Sequence, residues 1–479
     1  MKICIIAEGS YPYITGGVSS WIHSIITQMP EHEFVIYAIG AQTKQKGQFK
    51  YKLPGNVVEV KEMFLDEYLF EDGEWGHRFK LSPDQHQDLA ALLSGEGHIN
   101  WGRIFELLRS SKFRKAADFL TSKDYFDILE QLGRDKYNLV PFTELFWTVR
   151  SMILPLFLTI RHNVPQADLY HSVSTGYAGV VGALAKHVHG KPLLLTEHGI
   201  YSREREEEII KADWVKGYFK DLWIEYFYSL SGCVYEAADQ VITLFNRNKE
   251  IEVELGCDEE KVSIIPNGVN VDGYANLKSA PQDGKIRIGA VVRVVPIKDI
   301  KTMIQSFALV NREVPNAVLY IMGPVEEDEQ YYKECLQMVE AMELVNIVFT
   351  GEVQIKDYIG QMDILMLTSI SEGQPLAILE GMACSKPFVT TNVGSCKELI
   401  NGLDDGIGPA GLVTPVMHYE QIAGGVIQLC QNKDLRESMG RNAYERVQRY
   451  YKHQDFIASY RNLYSSLGGR QKWLESASN

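Results

Sequence analysis

Paired cysteines are missing from this chain. Its seven cysteines (Cys4, Cys233, Cys257, Cys335, Cys384, Cys396, Cys430) stand singly, with no C-x-x-C spacing and an odd total. That fits free thiols in a reducing compartment rather than a disulfide-stapled scaffold. Basic charge is also in deficit: 48 Lys and Arg against 62 Asp and Glu leave a net charge of −14. Nucleic acids and anionic membranes are bound by basic surfaces, so the charge argues against a general binder of either. Any phosphate must meet a local cluster of cations or N–H groups. Long apolar runs are absent as well. Ile3 to Ala7 is cut off by Glu8, too short for the apolar region of a signal peptide, and Ser151 to Ile160 lies between Arg150 and Arg161, too short to span a bilayer. The cytoplasm is the expected location.

At 479 residues, with 45% hydrophobic and 23% charged residues, the chain has the length for two to three ordinary domains. The run Lys2 to Ala7 reads as a strand buried on both faces of a parallel sheet. It leads through Gly16-Gly17 into a helix with Val18, Trp21, Ile22 and Ile25 on one face, then a strand at Glu33 to Ile39. Those glycines either let a backbone approach a ligand or only permit a tight turn. The stretch from about 41 to 165 reads as a mainly helical insertion with no metal-ligand spacing. Strand–helix alternation resumes at Asp168 to Ser172, and the strand Pro192 to Thr196 ends in Glu197-His198-Gly199. A histidine there stands where open α/β sheets place ligands, although many such histidines only satisfy a backbone carbonyl.

The polar segment Asp272 to Lys285 reads as a linker, after which the alternation restarts at Ile286. Arg293 and Lys298 fall in the first strand-to-helix loop of this half. In a later one, Asp363 to Thr391, a strand (Ile364 to Leu367) and a loop precede a helix opening at Pro375. Gln374 is a poor N-cap, so the first-turn N–H groups suit an anion. Leu376, Leu379 and Ala383 share a helical face, with Glu380 close to it, and Glu372 supplies a second carboxylate from the loop. Two cations beside a helix start suit a pyrophosphate, and a buried glutamate suits a vicinal diol such as ribose. A structural carboxylate pair and an ordinary surface cation pair are the alternatives.

In order and spacing, the Gly16-Gly17 loop, TEHGI, IIPNGVN, VVRVVPIK, IMGP, FTGEV and EGQPLAILE together resemble the retaining glycosyltransferases of family 4, which have the GT-B fold. The resemblance implies two Rossmann-like, doubly wound α/β domains facing across a cleft. Residues 1–271 would form the acceptor domain, 272–285 the linker, 286–452 the nucleotide-sugar domain, and 453–479 a C-terminal helix crossing back. It further implies roles. Glu380 would hold the donor ribose, and Glu372 and His198 would bind hydroxyls of the transferred sugar. Arg293 and Lys298 would neutralise the departing nucleoside diphosphate. Gly16, Gly17, Gly323, Val353, Gly373, Gln374 and Leu376 would line the donor. The implied donor is a UDP-sugar, UDP-glucose or an N-acetylhexosamine donor, and the acceptor a growing exopolysaccharide. A membrane-embedded polysaccharide synthase complex is the implied partner, recruiting the chain to the inner membrane. No D-x-D pair occurs, so neither a metal nor any other cofactor is expected. Many relatives carry an apolar residue at the place of Gln374. A nucleotide-sugar epimerase or hydrolase on the same scaffold, and a nucleotide-binding subunit without turnover, are the rival readings.

Overall fold

The computed structural model describes residues 1–70, 75–275 and 277–477, with backbone alone at 68–70 and 470–477. Two parallel sheets organise it. The first contains β1 (Lys2–Glu8), β2 (Glu33–Gly40), β3 (Val57–Phe64), β4 (Leu169–Ser172), β5 (Leu193–Glu197), β6 (Gln240–Thr243) and β7 (Val262–Ile264), in the order β3-β2-β1-β4-β5-β6-β7. The second contains β8 (Ile286–Val291), β9 (Ala317–Met322), β10 (Ile347–Gly351), β11 (Ile364–Leu367), β12 (Phe388–Thr391) and β13 (Gly411–Thr414), in the order β10-β9-β8-β11-β12-β13. Each is doubly wound: strands are added on one side of the first strand, and then the order reverses. The reversal falls between β1 and β4 in one sheet and between β8 and β11 in the other.

The strands that read as continuous apolar runs are buried on both faces; Ile3 to Ala7 and Ile364 to Leu367 have almost no contact with water. One strand departs from the expected helical insertion. β3 lies within 41–165 and pairs in parallel with β2 as the edge of the first sheet. Its sequence, VVEVKEMF, carries charged residues and leaves Val58 and Glu59 exposed, as an edge strand does. The rest of that stretch is mainly helical. Its longest helix, Phe142–Arg161, is long and apolar enough to cross a membrane by length and composition alone. In this structure Val149, Met152, Ile153, Leu156, Phe157 and Ile160 lie inside the core of the first sheet's unit.

The chain forms two compact units, Met1–Thr243 with Lys249–Ser263 and Arg461–Asn479, and Leu244–Asn248 with Ile264–Tyr460. The second unit therefore begins ahead of the expected linker at 272, because Val269, Val271 and Tyr274 are buried in its core. The C-terminal helix His453–Ala477 belongs to the second unit up to Tyr460 and to the first from Arg461.

A buried arginine ties the second unit's loops. Arg446 bonds Asp405 through Nε at 2.6 Å, and its guanidinium donates to the carbonyls of Ile400 (2.8 Å) and Gly408 (2.6 Å). Both partners of the ion pair are withdrawn from water. Arg446→Met, which leaves the buried Asp405 carboxylate without its counter-ion and removes the guanidinium donor to the Gly408 carbonyl, is expected to lower stability by about 3–5 kcal/mol. A shift of the urea midpoint measures it.

Candidate active site

The loops at the β8/β11 reversal bring together residues far apart in the chain. Lys298 ends a short turn, Pro296–Lys298, and Asp299 follows in the left-handed region at φ 48°. Thr368, just past β11, donates its hydroxyl to the carbonyls of Lys298 and Asp299, both at 3.0 Å. The Ile370 N–H donates to the Ile297 carbonyl. These bonds lock the two loops side by side. Lys298 Nζ then meets Glu372 Oε1 at 2.5 Å, and the Ser369 hydroxyl donates to the same oxygen at 2.5 Å. The lysine side chain is 16% exposed and the glutamate 9%.

The Glu372 loop is backed by a third segment. Ser395 donates its N–H and its hydroxyl to the Gly373 carbonyl, at 3.0 and 3.1 Å. Gly394, at φ +51°, makes this approach possible, since a Cβ there would stand 2.1 Å from the Glu372 carbonyl oxygen. Gly323 has a similar duty at the end of β9, where a Cβ would lie 2.1 Å from the Val292 carbonyl oxygen beside Arg293.

The helix after the loop starts one residue later than the sequence suggests. It spans Leu376–Ala383 with Pro375 as its N-cap, and no side chain caps it. Leu376 is exposed, so the apolar face is carried by Ile378, Leu379, Met382 and Ala383 instead. Glu380 is half-buried. Burial raises its carboxyl above the ordinary range, against the hydrogen bond from the Tyr274 hydroxyl and the nearby Lys356 ammonium. Lys356 Nζ also lies 4.8 Å from the centre of the Tyr274 ring. Neither Tyr274 nor Lys356 is marked as a site residue by the sequence pattern. The first falls in the stretch taken for a linker, although the spacing of Val269, Val271 and Tyr274 marks a buried face.

Gln374, expected to line the donor, directs its amide elsewhere. Its Oε1 accepts the Asn267 N–H at 2.6 Å, and its Nε2 donates to the Leu244 carbonyl at 3.5 Å. Arg293, in the loop after β8, pairs with Glu327 at 2.5 Å, both side chains about half exposed. Val353 is half-buried against the second unit's core.

In the first unit, His198 follows β5 and its ring meets the edge of Trp21 at 4.7 Å between centroids. Its Nε2 is buried and forms no hydrogen bond among the described residues. The preceding Glu197 is held by Tyr235 (2.7 Å), Thr175 (3.0 Å) and the Tyr201 N–H (3.0 Å), and burial pushes its carboxyl up to about 7. Gly16 caps the Gly17–Gln28 helix with extended backbone, and a Cβ at Gly16 or Gly17 would meet nothing within 4 Å. Protein packing therefore does not demand glycine at either place. No cluster of three or more potential metal ligands occurs among the described residues.

The two parallel, doubly wound sheets have the GT-B fold, and the sequence matches that follow make the chain a glycosyltransferase. The chain belongs to the family described as Domain of unknown function (DUF3492), which matches residues 1–260, and residues 276–446 match Glycosyl transferases group 1. It is 25% identical over 305 residues to an uncharacterized glycosyltransferase, MJ1178, of Methanocaldococcus jannaschii, covering 63% of this chain and 76% of that one. It is 26% identical over 339 residues to the UDP-Gal:alpha-D-GlcNAc-diphosphoundecaprenol alpha-1,3-galactosyltransferase of Escherichia coli, covering 67% and 82%. The crystal structure of Anabaena Alr3699/HepE in complex with UDP shares the fold, with a TM-score of 0.62 and 15% identity over 97% of this chain and 100% of that one.

Burial pushes the His198 imidazole down to about 4. The unfolded chain titrates near 6.5. The stability this ring contributes is therefore complete above pH 6.5 and is lost as pH falls through 6.5 towards 4. An NMR titration of the histidine rings is expected to show His198 neutral above pH 5; a midpoint near 6.5 would contradict its burial.

Proposed function

We propose that the chain transfers a hexose from a UDP-sugar, UDP-glucose or an N-acetylhexosamine donor, to a growing exopolysaccharide, with retention of anomeric configuration and without a metal ion. The observation that carries this reading is the Lys298–Glu372 pair, shielded from water at the β8/β11 reversal, where open α/β sheets bind ligands. Lys298 offers an ammonium to the departing diphosphate, and Glu372 a carboxylate to a hydroxyl of the transferred sugar. Glu380, now bonded to Tyr274, accepts the ribose hydroxyls. The uncapped first turn of the Leu376–Ala383 helix faces an anion favourably. Arg293 exchanges Glu327 for the diphosphate. His198 and the Gly16-Gly17 loop keep the roles that the family resemblance gives them, contacts to the sugar and to the phosphates.

The UDP named for the galactosyltransferase and for HepE supports uridine as the base. The inserted N-terminal half and the run TEHGIYSRERE resemble PelF of Pel exopolysaccharide synthesis, which supports a polysaccharide acceptor and a membrane-embedded synthase as partner in the cytoplasm. The absence of D-x-D supports metal independence. Hydrolysis or epimerisation of the same donor is the second reading, and release or isomerisation of sugar without an acceptor would favour it.

A charge-assisted hydrogen bond contributes roughly 1.5–3 kcal/mol. Glu380→Ala is therefore expected to weaken UDP binding about 10- to 150-fold in calorimetry, with an unchanged melting temperature in the absence of nucleotide. Wild-type affinity would remove the ribose role. Arg293 is exposed, so Arg293→Ala tests the leaving-group role without a folding defect, whereas removing Lys298 would strand Glu372. The arginine variant is expected to lose about 10-fold or more in turnover. Chelator is expected to leave the wild-type rate unchanged in the same assay, and a strict manganese requirement would overturn the metal-free reading.

A further inference from the structure

Four of the chain's seven tryptophans lie together on the helical part of the first unit, away from β5 in the sequence. Trp147, Trp214 and Trp223 line an open groove of about 350 Å³ between the Phe142–Arg161 helix and the segment before the Lys220–Ala237 helix. Trp75 adjoins it, touching Trp147 at 6.4 Å between ring centroids and stacking on Phe146 at 5.9 Å. These side chains are far from buried: Trp214 is 70% exposed, Trp75 66% and Trp147 54%. An indole left in water forgoes the largest burial gain of any side chain, and a contiguous set of them marks a binding surface.

The shape and chemistry of the groove narrow the ligand. Trp214 and Trp223 stand at 85° to each other, 5.5 Å apart, forming a corner of two flat apolar walls. The rim is polar, with the Thr143 and Thr148 hydroxyls, Glu144 and Lys216. Lys216 and Glu144 neutralise each other at 2.8 Å, and the Tyr218 hydroxyl also bonds Glu144. Beside this neutralised pair, the Arg150 guanidinium lies over the Trp147 ring, 5.5 Å from its centre. Phospholipid headgroups and acidic peptides need clustered cations, which a single guanidinium does not supply, so the groove favours a neutral ligand. A pyranose ring presents a flat C–H face to an aromatic wall and hydroxyls to a polar rim. The volume lies at the lower end of the roughly 300–1,000 Å³ range of small-ligand pockets, enough for a short stretch of chain rather than a globular surface.

We infer that this tryptophan groove holds a segment of neutral saccharide chain, the acceptor polymer of the proposed reaction, by stacking on Trp147 and Trp214. The inference deepens the transferase reading and rests on it for the identity of the polymer.

The test uses the full chain without nucleotide, titrated with chitopentaose and with maltopentaose while tryptophan fluorescence is followed. One pentamer is expected to bind saturably, and Trp147→Ala with Trp214→Ala to weaken it at least tenfold. The UDP-induced rise in melting temperature is expected to stay at its wild-type value in that variant, which shows the fold and the donor site intact. Absence of binding by both pentamers, or equal binding to the double variant, would overturn the assignment. So would tryptophan-dependent binding of phosphatidylglycerol vesicles in place of either sugar. Pentamer binding in a wild-type protein that gives no UDP shift would overturn the donor reading and leave the groove assignment standing.

Discussion

Lys298 and Glu372 are each largely withdrawn from water, and neither charge would be tolerated there without the other. Around this pair the second unit's ligand-facing loops are assembled. Thr368 holds the backbone under the lysine, Ser369 shares the glutamate's oxygen, and Ser395 grips the next carbonyl. Gly394 allows that third segment to press against the loop without a clash. A pair so supported is preorganised: the charges are already oriented and partly desolvated before a ligand arrives. In the proposed reaction that lowers the reorganisation needed as charge develops on the leaving diphosphate.

The same frame explains the placing of the less obvious residues. Gln374 anchors the strand-to-helix loop to the backbone of Asn267 and Leu244, which leaves the following helix start uncapped and available. Tyr274 keeps Glu380 bonded in the absence of a diol, so a carboxyl raised by burial is not left unsatisfied. In the first unit, Glu197 is pinned by donors from three directions, and the neighbouring His198 presents a ring nitrogen with no hydrogen bond among the described residues. The pattern repeats: one polar group is fully satisfied so that its neighbour can stay open.

How much of this could be read beforehand differs by element. The buried strands were plain, because a strand covered on both faces is a continuous apolar run, as in Ile3 to Ala7 and Ile364 to Leu367. β3 was hidden because an edge strand tolerates Glu59, Lys61 and Glu62 and so resembles its helical surroundings. Tyr274 was hidden for a related reason: one buried ring in a polar stretch carries little periodicity. Leu376 keeps the helical phase of the buried Leu379 and Ala383, but it is the first residue after the Pro375 N-cap, and there it stays exposed.

The amino-acid sequence by itself determined the doubly wound α/β alternation, the spacing of Glu372 and Glu380, and the presence of Arg293 and Lys298 in a strand-to-helix loop. These are local matters, settled by neighbours within a turn or a strand. Only the tertiary structure decided that Lys298 pairs with Glu372 while Arg293 pairs with Glu327, that the Gln374 amide serves the backbone, and that tryptophans from distant segments wall one groove. Those outcomes depend on which strand lies beside which, and the reversal between β8 and β11 brings into contact two loops 74 residues apart. Contacts over that separation leave no periodic trace in the chain.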